Sequence, residues 1–301
     1  WGVFFASFFT DKERIYQDMK TIQGKFAEAK IYSDTCEDYA AAQIQLLCDH
    51  ETAENAVIRV MPDVHPGKVG TVGLTMTVGK KLIPYLLGGD IGCGVSCVVF
   101  KTKRIEGKRL DAVIWERGIP HPVSFLEGEQ LQAYLHDVEI VQRFAALNRA
   151  CILEEICKGM KWKAIDRFDT VHNYVAKLQD GTPLLRKGAV SAQQGERLLI
   201  PINMKEGMLL CEGKGNPDWN FSAPHGAGRV YRRDQVKEHF TVSDYKREMK
   251  GIYSTCISRD TLDEAPFAYR SAEEIMEQME ETVRIRKILR PVYNFKAGGN
   301  R

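Results

Sequence analysis

The most constraining feature of the sequence is the segment 88–94, in which four of seven residues are glycine. Glycine destabilises a folded chain unless the backbone needs a positive φ angle or a close approach to another group. Asp90 and Cys93 stand among these glycines, so a carboxylate and a thiol can converge across one turn. Such a pair suits zinc, manganese, iron or cobalt. A tight turn around a buried cysteine would also explain the pattern.

Composition limits the class of protein. The 301 residues, 44% of them hydrophobic, suffice for one large domain or two modest ones. The net charge of +2 excludes a uniformly basic nucleic-acid coat, so RNA binding would need local basic clusters. Two such clusters are Arg229 with Arg232 and Arg233, and Arg186 with Lys187. Either cluster alone is better explained as a solvated basic face.

The cysteines and the hydropathy pattern bear on the cellular compartment. Eight cysteines are dispersed along the chain, which predicts reduced thiols rather than a disulfide framework. No apolar run approaches the ~20 residues needed to span a bilayer. We therefore expect a soluble cytoplasmic protein without a membrane partner.

Apolar spacing predicts the secondary structure. Helices are expected at residues 35–47, with Asp34 as N-cap, at 127–157, and at 271–289, where Ser271 and Glu274 would form a capping box. Strands are expected at 57–60, 71–78, 95–100, 189–191, 197–201 and 208–211. Strands early and late with helices between them favour an α+β fold. Residues 1–18 are atypical in composition and are predicted to be an extension to one domain, 19–301.

A second candidate site lies where a predicted strand ends. Asp63 and His65 are two residues apart on extended chain, so their side chains point to the same side. They could share a ligand, or they could anchor a turn. The sequence leaves both interpretations open.

The strongest local signal is His225 followed by Gly226, Ala227 and Gly228. The backbone N–H groups of such a loop can cradle phosphate oxygens, and Arg229 adds a planar fork for the same anion. A histidine in this setting can attack a nucleotide phosphate and form a covalent intermediate. The structural explanation is a glycine-rich turn capped by a histidine.

These segments resemble the RtcB family of RNA-splicing ligases. The resemblance rests on MPDVHPGKVGTVG, GGDIGCG, FAALNR, VHNYV, KGNPDWNFSAPHGAGR, SRDTLDEAP and YNFKAG, which keep a fixed order between Met61 and Gly298. It implies a single RtcB-type α+β domain with mixed sheets around a central metal and nucleotide cleft. It also implies a GTP- and Mn²⁺-dependent ligase that joins RNA 2′,3′-cyclic phosphate or 3′-phosphate ends to 5′-hydroxyl ends through a guanylylated histidine.

The resemblance also implies roles for individual residues. The nucleophile falls on His225, and the metal ligands fall on Asp90, Cys93 and His172, although a lone histidine such as His172 is more often structural. The Asp63 position resembles an essential acidic residue near the metal. The implied nucleotide contacts are Asn173, Pro201, Ile202, Asn203, Met204, Gly226, Ala227, Gly228 and Lys296.

The sequence departs from the family in two places. Family members carry a block with GxGNHF and HxGSRG segments, which supplies two histidine metal ligands and an asparagine that contacts the guanylate. This chain passes directly from Phe125 to Leu126, and neither segment occurs in it. We therefore interpret this junction as an internal deletion. The second departure is Pro-Ile-Asn-Met at 201–204, where the family often has Pro-Gly-Ser-Met.

Three alternatives to an active ligase remain open. The chain could be a relative that binds RNA ends or nucleotide without ligating. The deletion could instead reflect a loss in the gene model, and the native protein would then be an ordinary ligase. A metal-dependent phosphoesterase that uses Asp63, His65, Asp90 and Cys93 is the third. The expected partners are GTP and RNA, as tRNA halves or broken ends, and a monomer is favoured.

Overall fold

A computed structural model describes residues 20–100 and 125–294, with the side chains of residues 96–100 excepted. The largest sheet has six strands in the order β1-β2-β3-β4-β10-β9 and is mixed, because β2 and β3 are parallel while the other neighbours are antiparallel. These strands are β1 (Lys20–Gln23), β2 (Glu28–Ile31), β3 (Ile58–His65), β4 (Val72–Thr77), β9 (Asn173–Lys177) and β10 (Pro183–Lys187).

The smaller sheets carry the loops of the candidate site. An antiparallel sheet joins β12 (Arg197–Asn203), β13 (Gly207–Gly213) and β16 (Val283–Leu289). The two-stranded sheets pair β5 (Lys81–Leu82) with β7 (Leu126–Glu127), β6 (Gly94–Phe100) with β8 (Ala164–Val171), β11 (Ala189–Ser191) with β14 (Ser222–Pro224), and β15 (Tyr253–Ser254) with β17 (Tyr293–Asn294). The helices are α1 (Asp38–Cys48), α2 (Gly128–Met160), α3 (Arg233–His239), α4 (Val242–Glu248) and α5 (Ala272–Gln278). The predicted α+β class with mixed sheets is confirmed. None of the helices in the described ranges is both long and apolar enough to cross a bilayer.

Burial explains why β3 ends at the candidate site. The apolar face of α1, with Ala40, Ile44 and Leu47, packs in one core with Ile58 and Val60 of β3. A second cluster contains Met61, Ala189 and Trp219. Apolar side chains therefore cover both faces of β3, and its C-terminal residues are held inside the molecule.

Two secondary-structure predictions need correction. The first helix begins at Asp38 with Glu37 as its N-cap, so Asp34 is not the cap. The last predicted helix ends at Gln278, and residues 283–289 form β16. The alternation Val-Arg-Ile-Arg at 283–286 is a strand pattern, and the high charge of the segment masked it. At the helix start, the Ser271 hydroxyl accepts the Glu274 N–H at 3.2 Å, which is half of the predicted capping box.

The interpretation of Arg186 and Lys187 as a solvated basic face is wrong, because both are buried. Arg186 Nε donates to Ser222 Oγ at 2.8 Å, Nη1 donates to Tyr174 OH at 2.8 Å, and Nη2 donates to Phe221 O at 3.2 Å. The guanidinium therefore ties β9 and β10 to the segment before the candidate nucleophile.

We expect Arg186→Met to lower the free energy of unfolding by about 3 kcal/mol, because hydrogen bonds from charged donors are lost and buried acceptors are left unpaired. Urea unfolding measures the change. Arg232→Met is the matched control, since the Arg232 side chain is 67% exposed, and surface changes typically stay within about 0.5 kcal/mol. Equal effects of the two substitutions would contradict the structural role of Arg186.

Candidate nucleophile and metal centre

The centre of the candidate site is a contact between His225 and Asp63. His225 Nδ1 lies 2.6 Å from Asp63 Oδ2, and the backbone N–H of His225 donates to the same oxygen at 3.2 Å. The Asp63 side chain is fully buried, whereas the His225 side chain is 24% exposed. The carboxylate therefore fixes the ring from inside the protein, and the imidazole remains accessible to a ligand.

Two glycines permit this close packing. Gly228 has a φ of +72°, and a Cβ there would lie 3.0 Å from Asp63 O. Gly188 has a φ of +62°, and a Cβ there would lie 2.2 Å from Val72 Cγ1 and 3.3 Å from His225 Cε1. A side chain at either position would displace the strand or the ring. Gly228 thus serves packing against Asp63, a role that the phosphate-cradle interpretation did not include.

Two more histidines surround His225. The His172 and His225 ring centroids are 4.7 Å apart, and those of His65 and His225 are 6.5 Å apart. His65 Nδ1 lies 2.8 Å from the carbonyl oxygen of Asp63. The structure thus brings together Asp63, His65, His172 and His225, which the sequence analysis had placed in three separate motifs.

A backbone hydrogen bond places the glycine-rich turn, residues 88–94, next to His172. The N–H of His172 donates to Cys93 O at 3.0 Å, directly beyond the paired strands β6 and β8. The Asp90 side chain lies within hydrogen-bond reach of the Cys93 thiol. Gly88 and Gly92 have φ angles of +84° and +77°, which accounts for two of the four glycines.

Burial and neighbouring charges shift the pKa values of the titratable groups in the site. Burial and, to a lesser extent, the nearby His225 lower the pKa of His172 to about 4. Burial also lowers the pKa of His65, and together with Asp90 it raises the pKa of Cys93 to about 12. For His225, burial lowers the pKa, but the Asp63 carboxylate and the Gly188 backbone outweigh burial and leave the pKa raised.

These residues partly fit a metal ion. Asp63 Oδ1 and His172 Nδ1 are buried and have no hydrogen-bond partner among the described residues. Oxygen, imidazole and thiolate ligands together suit a transition metal, and a metal keeps a coordinating thiol deprotonated. In the described ranges, however, no three His, Cys, Asp or Glu side chains are close enough to hold a metal ion. The predicted metal ligands therefore lie near one another without forming a complete coordination site; they are Asp90, Cys93 and His172.

The predicted nucleotide contacts have varied surroundings. Asn173 Oδ1 accepts the Gly188 N–H at 2.8 Å, so this side chain positions the loop that contacts His225. A Cβ on Gly226 would lie 3.2 Å from Pro201 O, which brings residues 201–204 next to the nucleophile loop. Asn203 Oδ1 accepts the N–H groups of residues 205 and 206, and Met204 is buried. Lys296 lies outside the described residues.

Arg229 has partners within the chain. Its guanidinium pairs with Glu264 Oε1 at 2.9 Å and donates to Asp263 O at 2.7 Å and to Tyr269 OH at 2.9 Å. These contacts occupy the planar fork that the sequence analysis assigned to an anion. The role of Arg229 in phosphate binding stays a prediction.

Two residues near the site have roles that the sequence did not predict. Gly188 was not singled out, although a glycine directly after two basic residues and before a strand could have signalled a close approach. Lys187 Nζ donates to the backbone oxygens of Val69 and Gly70 and so holds the loop after His65. Burial lowers the pKa of Lys187 to about 8. Only the fold shows that this lysine points inward.

The geometry defines an α+β protein whose partly exposed histidine is held by a buried carboxylate beside a glycine-rich loop. Residues 121–297 match the sequence model of the RtcB family, described as tRNA-splicing ligase RtcB. This match covers more than half of the chain, and the chain therefore belongs to the RtcB family. Asp63, Asp90 and Cys93 precede the matched residues, and the contact between Asp63 and His225 joins the two parts of the chain.

Curated relatives agree with this family. RNA-splicing ligase RtcB of Escherichia coli K12 is 32% identical over 183 residues, which cover 56% of this chain and 45% of the relative. tRNA-splicing ligase RtcB of Aeropyrum pernix is 30% identical over 181 residues, covering 48% of this chain and 37% of the relative. The chain thus spans about half the length of the first curated relatives it matches.

A longer match links the chain to RNA-splicing ligase RtcB2 of Escherichia coli ATCC 25922. The two are 24% identical over 334 residues, covering 80% of this chain and 88% of the relative. That aligned stretch is longer than the 301 residues of this chain. The relative therefore contains residues that have no counterpart here.

Proposed function

We propose that this chain has the site of an RtcB-type RNA ligase, which acts in the cytoplasm on tRNA halves or broken RNA ends with GTP and Mn²⁺, and that loss of metal ligands impairs its joining activity. The observation that carries the proposal is the contact of His225 with the buried Asp63. A nucleophilic imidazole needs a group that orients it and fixes its tautomer. Asp63 faces Nδ1, and this leaves the other ring nitrogen available for attack.

The proposed reaction has three steps. The free nitrogen of His225 attacks the α-phosphate of GTP, a P–N bond forms, and pyrophosphate leaves. The RNA 3′-phosphate then takes the guanylyl group and frees His225. The RNA 5′-hydroxyl finally displaces GMP and forms the phosphodiester bond. Throughout, the chain supplies the nucleophile, its orientation by Asp63, and the glycine loop that faces the nucleotide.

A metal would be held by Asp90, Cys93 and His172 in this proposal. When bound, it would neutralise phosphate charge and act as a Lewis acid. With the block between Phe125 and Leu126 absent, two histidine ligands expected from the family resemblance are missing, and we propose that the ion binds weakly.

Covalent labelling tests the proposal. Incubation with α-labelled GTP and Mn²⁺ is expected to transfer the label to the chain, and His225→Ala is expected to abolish the label because His225 is the imidazole that the Asp63 carboxylate contacts. The label is measured on denaturing gels. His239→Ala is the control and should label normally, since His239 lies on α3 and its ring contacts Tyr231 and Phe240.

The alternatives give different outcomes. A label that survives His225→Ala would falsify the assignment of the nucleophile. No label in either protein would favour a relative that binds RNA or nucleotide without ligating. Turnover of a phosphate ester without a histidine adduct would instead identify a metal-dependent phosphoesterase.

A further inference from the structure

A cavity of about 250 Å³ adjoins the candidate site between α2 and the strands β8, β11 and β12. Gly92 and Val171 line it, and they are the direct neighbours of Cys93 and His172. Its volume lies below the ~300–1,000 Å³ of pockets that take drug-sized ligands. The cavity thus has room for one small ring system rather than for a whole nucleotide.

The charges around the cavity balance. Arg149 and Arg197 line it together with Asp169 and Glu196. Arg149 Nη2 lies 3.4 Å from Asp169 Oδ2, and Arg197 Nη1 lies 2.5 Å from Asp166 Oδ2. Two cations and two carboxylates give no excess of positive charge, so the lining favours a neutral polar ligand over a free phosphate.

Two polar atoms of the lining residues lack a partner within the described part of the chain. Arg149 Nε and Asp169 Oδ1 are buried and have no hydrogen-bond partner among the described residues. One is a donor and the other an acceptor, and both side chains are mostly buried, 16% and 25% exposed. Buried polar atoms are normally paired. A ligand that offers an acceptor and a donor would pair both.

The remaining walls suit a flat ring. The lining includes the apolar residues Ala146 and Val171 and the aromatic residue Tyr174. Proteins recognise unstacked RNA bases by packing their faces on such side chains and by hydrogen bonding their edges. A nucleobase therefore matches both the polar pair and the apolar walls.

We propose that this cavity binds a base of the RNA substrate, namely the base of the terminal nucleotide that carries the 3′-phosphate. In this proposal Asp169 accepts a hydrogen bond from the base and Arg149 donates one. This inference rests on the proposed function. The proposed GTP contacts at residues 201–204 and 226–228 do not line the cavity. The base it takes is accordingly that of the RNA rather than that of GTP.

Binding of short RNAs tests the proposal. The probes are pentaribonucleotides with a 3′-phosphate, one set with each terminal base and one with an abasic terminal nucleotide, measured by fluorescence anisotropy. The wild-type chain is expected to bind the best base at least about 10-fold more tightly than the abasic probe, in line with the ~1–3 kcal/mol of a stacked base. Equal binding of all probes would overturn the proposal.

Two variants test whether the preference for a base arises in this cavity. Ala146→Leu fills the cavity, and Arg149→Lys keeps the charge but removes the Nε donor, so both should abolish the preference for a base. Ala133→Leu makes the same change on an exposed position of α2 and should keep the preference. Retention of the preference in Ala146→Leu, with unfolding midpoints unchanged, would overturn the proposal.

Further measurements distinguish a failure of this inference from a failure of the proposed function. The preference should persist in His225→Ala, because binding does not need the nucleophile. Covalent labelling without any base preference would refute the cavity alone, and base preference without labelling would refute the ligase mechanism alone. Loss of the preference on adding GTP without Mn²⁺, or equally on adding inorganic phosphate, would show a cofactor or anion site and would overturn the inference.

Discussion

Changing Asp63 to asparagine is expected to slow covalent labelling of His225 by about 100-fold. The carboxylate lies 2.6 Å from the ring and also accepts the His225 backbone N–H. Asparagine has nearly the same size but carries no charge, so the ring loses its fixed orientation and its electrostatic partner. Misplacement of a reacting group by about 1 Å can reduce a rate by this factor. Single-turnover labelling with GTP and Mn²⁺ measures the change.

A control separates orientation from folding. Asp180→Asn makes the same chemical change in an exposed hairpin, where Oδ1 accepts the Thr182 N–H at 2.9 Å, and should label as the wild type does. The urea unfolding midpoint of Asp63→Asn should show whether the variant is folded under the assay conditions. A folded Asp63→Asn variant that labels at the wild-type rate would remove Asp63 from the mechanism.

Restoring the missing block is expected to raise RNA joining by at least about 100-fold. The 301-residue chain should show little or no ligation, because a metal held by Asp90, Cys93 and His172 alone would position the triphosphate loosely. A graft with the GxGNHF and HxGSRG segments between Phe125 and Leu126 would add the two histidine ligands. Joining of cyclic-phosphate and 5′-hydroxyl RNA ends is measured for both chains.

The matched control is a graft of equal length in which the motif histidines are alanine. It should fold like the active graft but join no better than the original chain. Exposed apolar residues on α2, which begins shortly after the junction, give a second readout: Ile140 is 54% exposed, Phe144 69% and Leu147 57%. We expect either graft to reduce self-association, because large exposed apolar patches promote it. Efficient joining by the original chain would show that the missing ligands are dispensable.

Local sequence patterns predicted much of the fold. The strands at 189–191 and 71–78 follow from short apolar runs, and α2 follows from a long helical period. The segment 283–289 was misassigned because its three basic residues resemble an exposed helical face, whereas pairing with β13 decides its conformation. Local propensity cannot report such long-range pairing.

The candidate site was also predicted only in part from the sequence. His225, Asp63 and His172 were each singled out from their own motifs, but their convergence depends on strands far apart in sequence. The orientation of Arg229 toward Glu264 and the burial of Arg186 were not predictable from the chain. The sequence does not show whether a basic side chain faces solvent or donates to an internal carbonyl. Only the packing around the side chain distinguishes these two orientations.

The contact between Asp63 and His225 joins residues 162 positions apart. Loop closure over such a distance carries an entropic penalty that must be met before the contact contributes stability, and contacts of long sequence separation slow folding. Asp63 emerges from the ribosome long before His225, so the oriented histidine exists only after most of the domain has been synthesised. The proposed reactivity of His225 toward nucleotide is thus expected only from fully folded chains, because incompletely folded chains contain an unoriented imidazole.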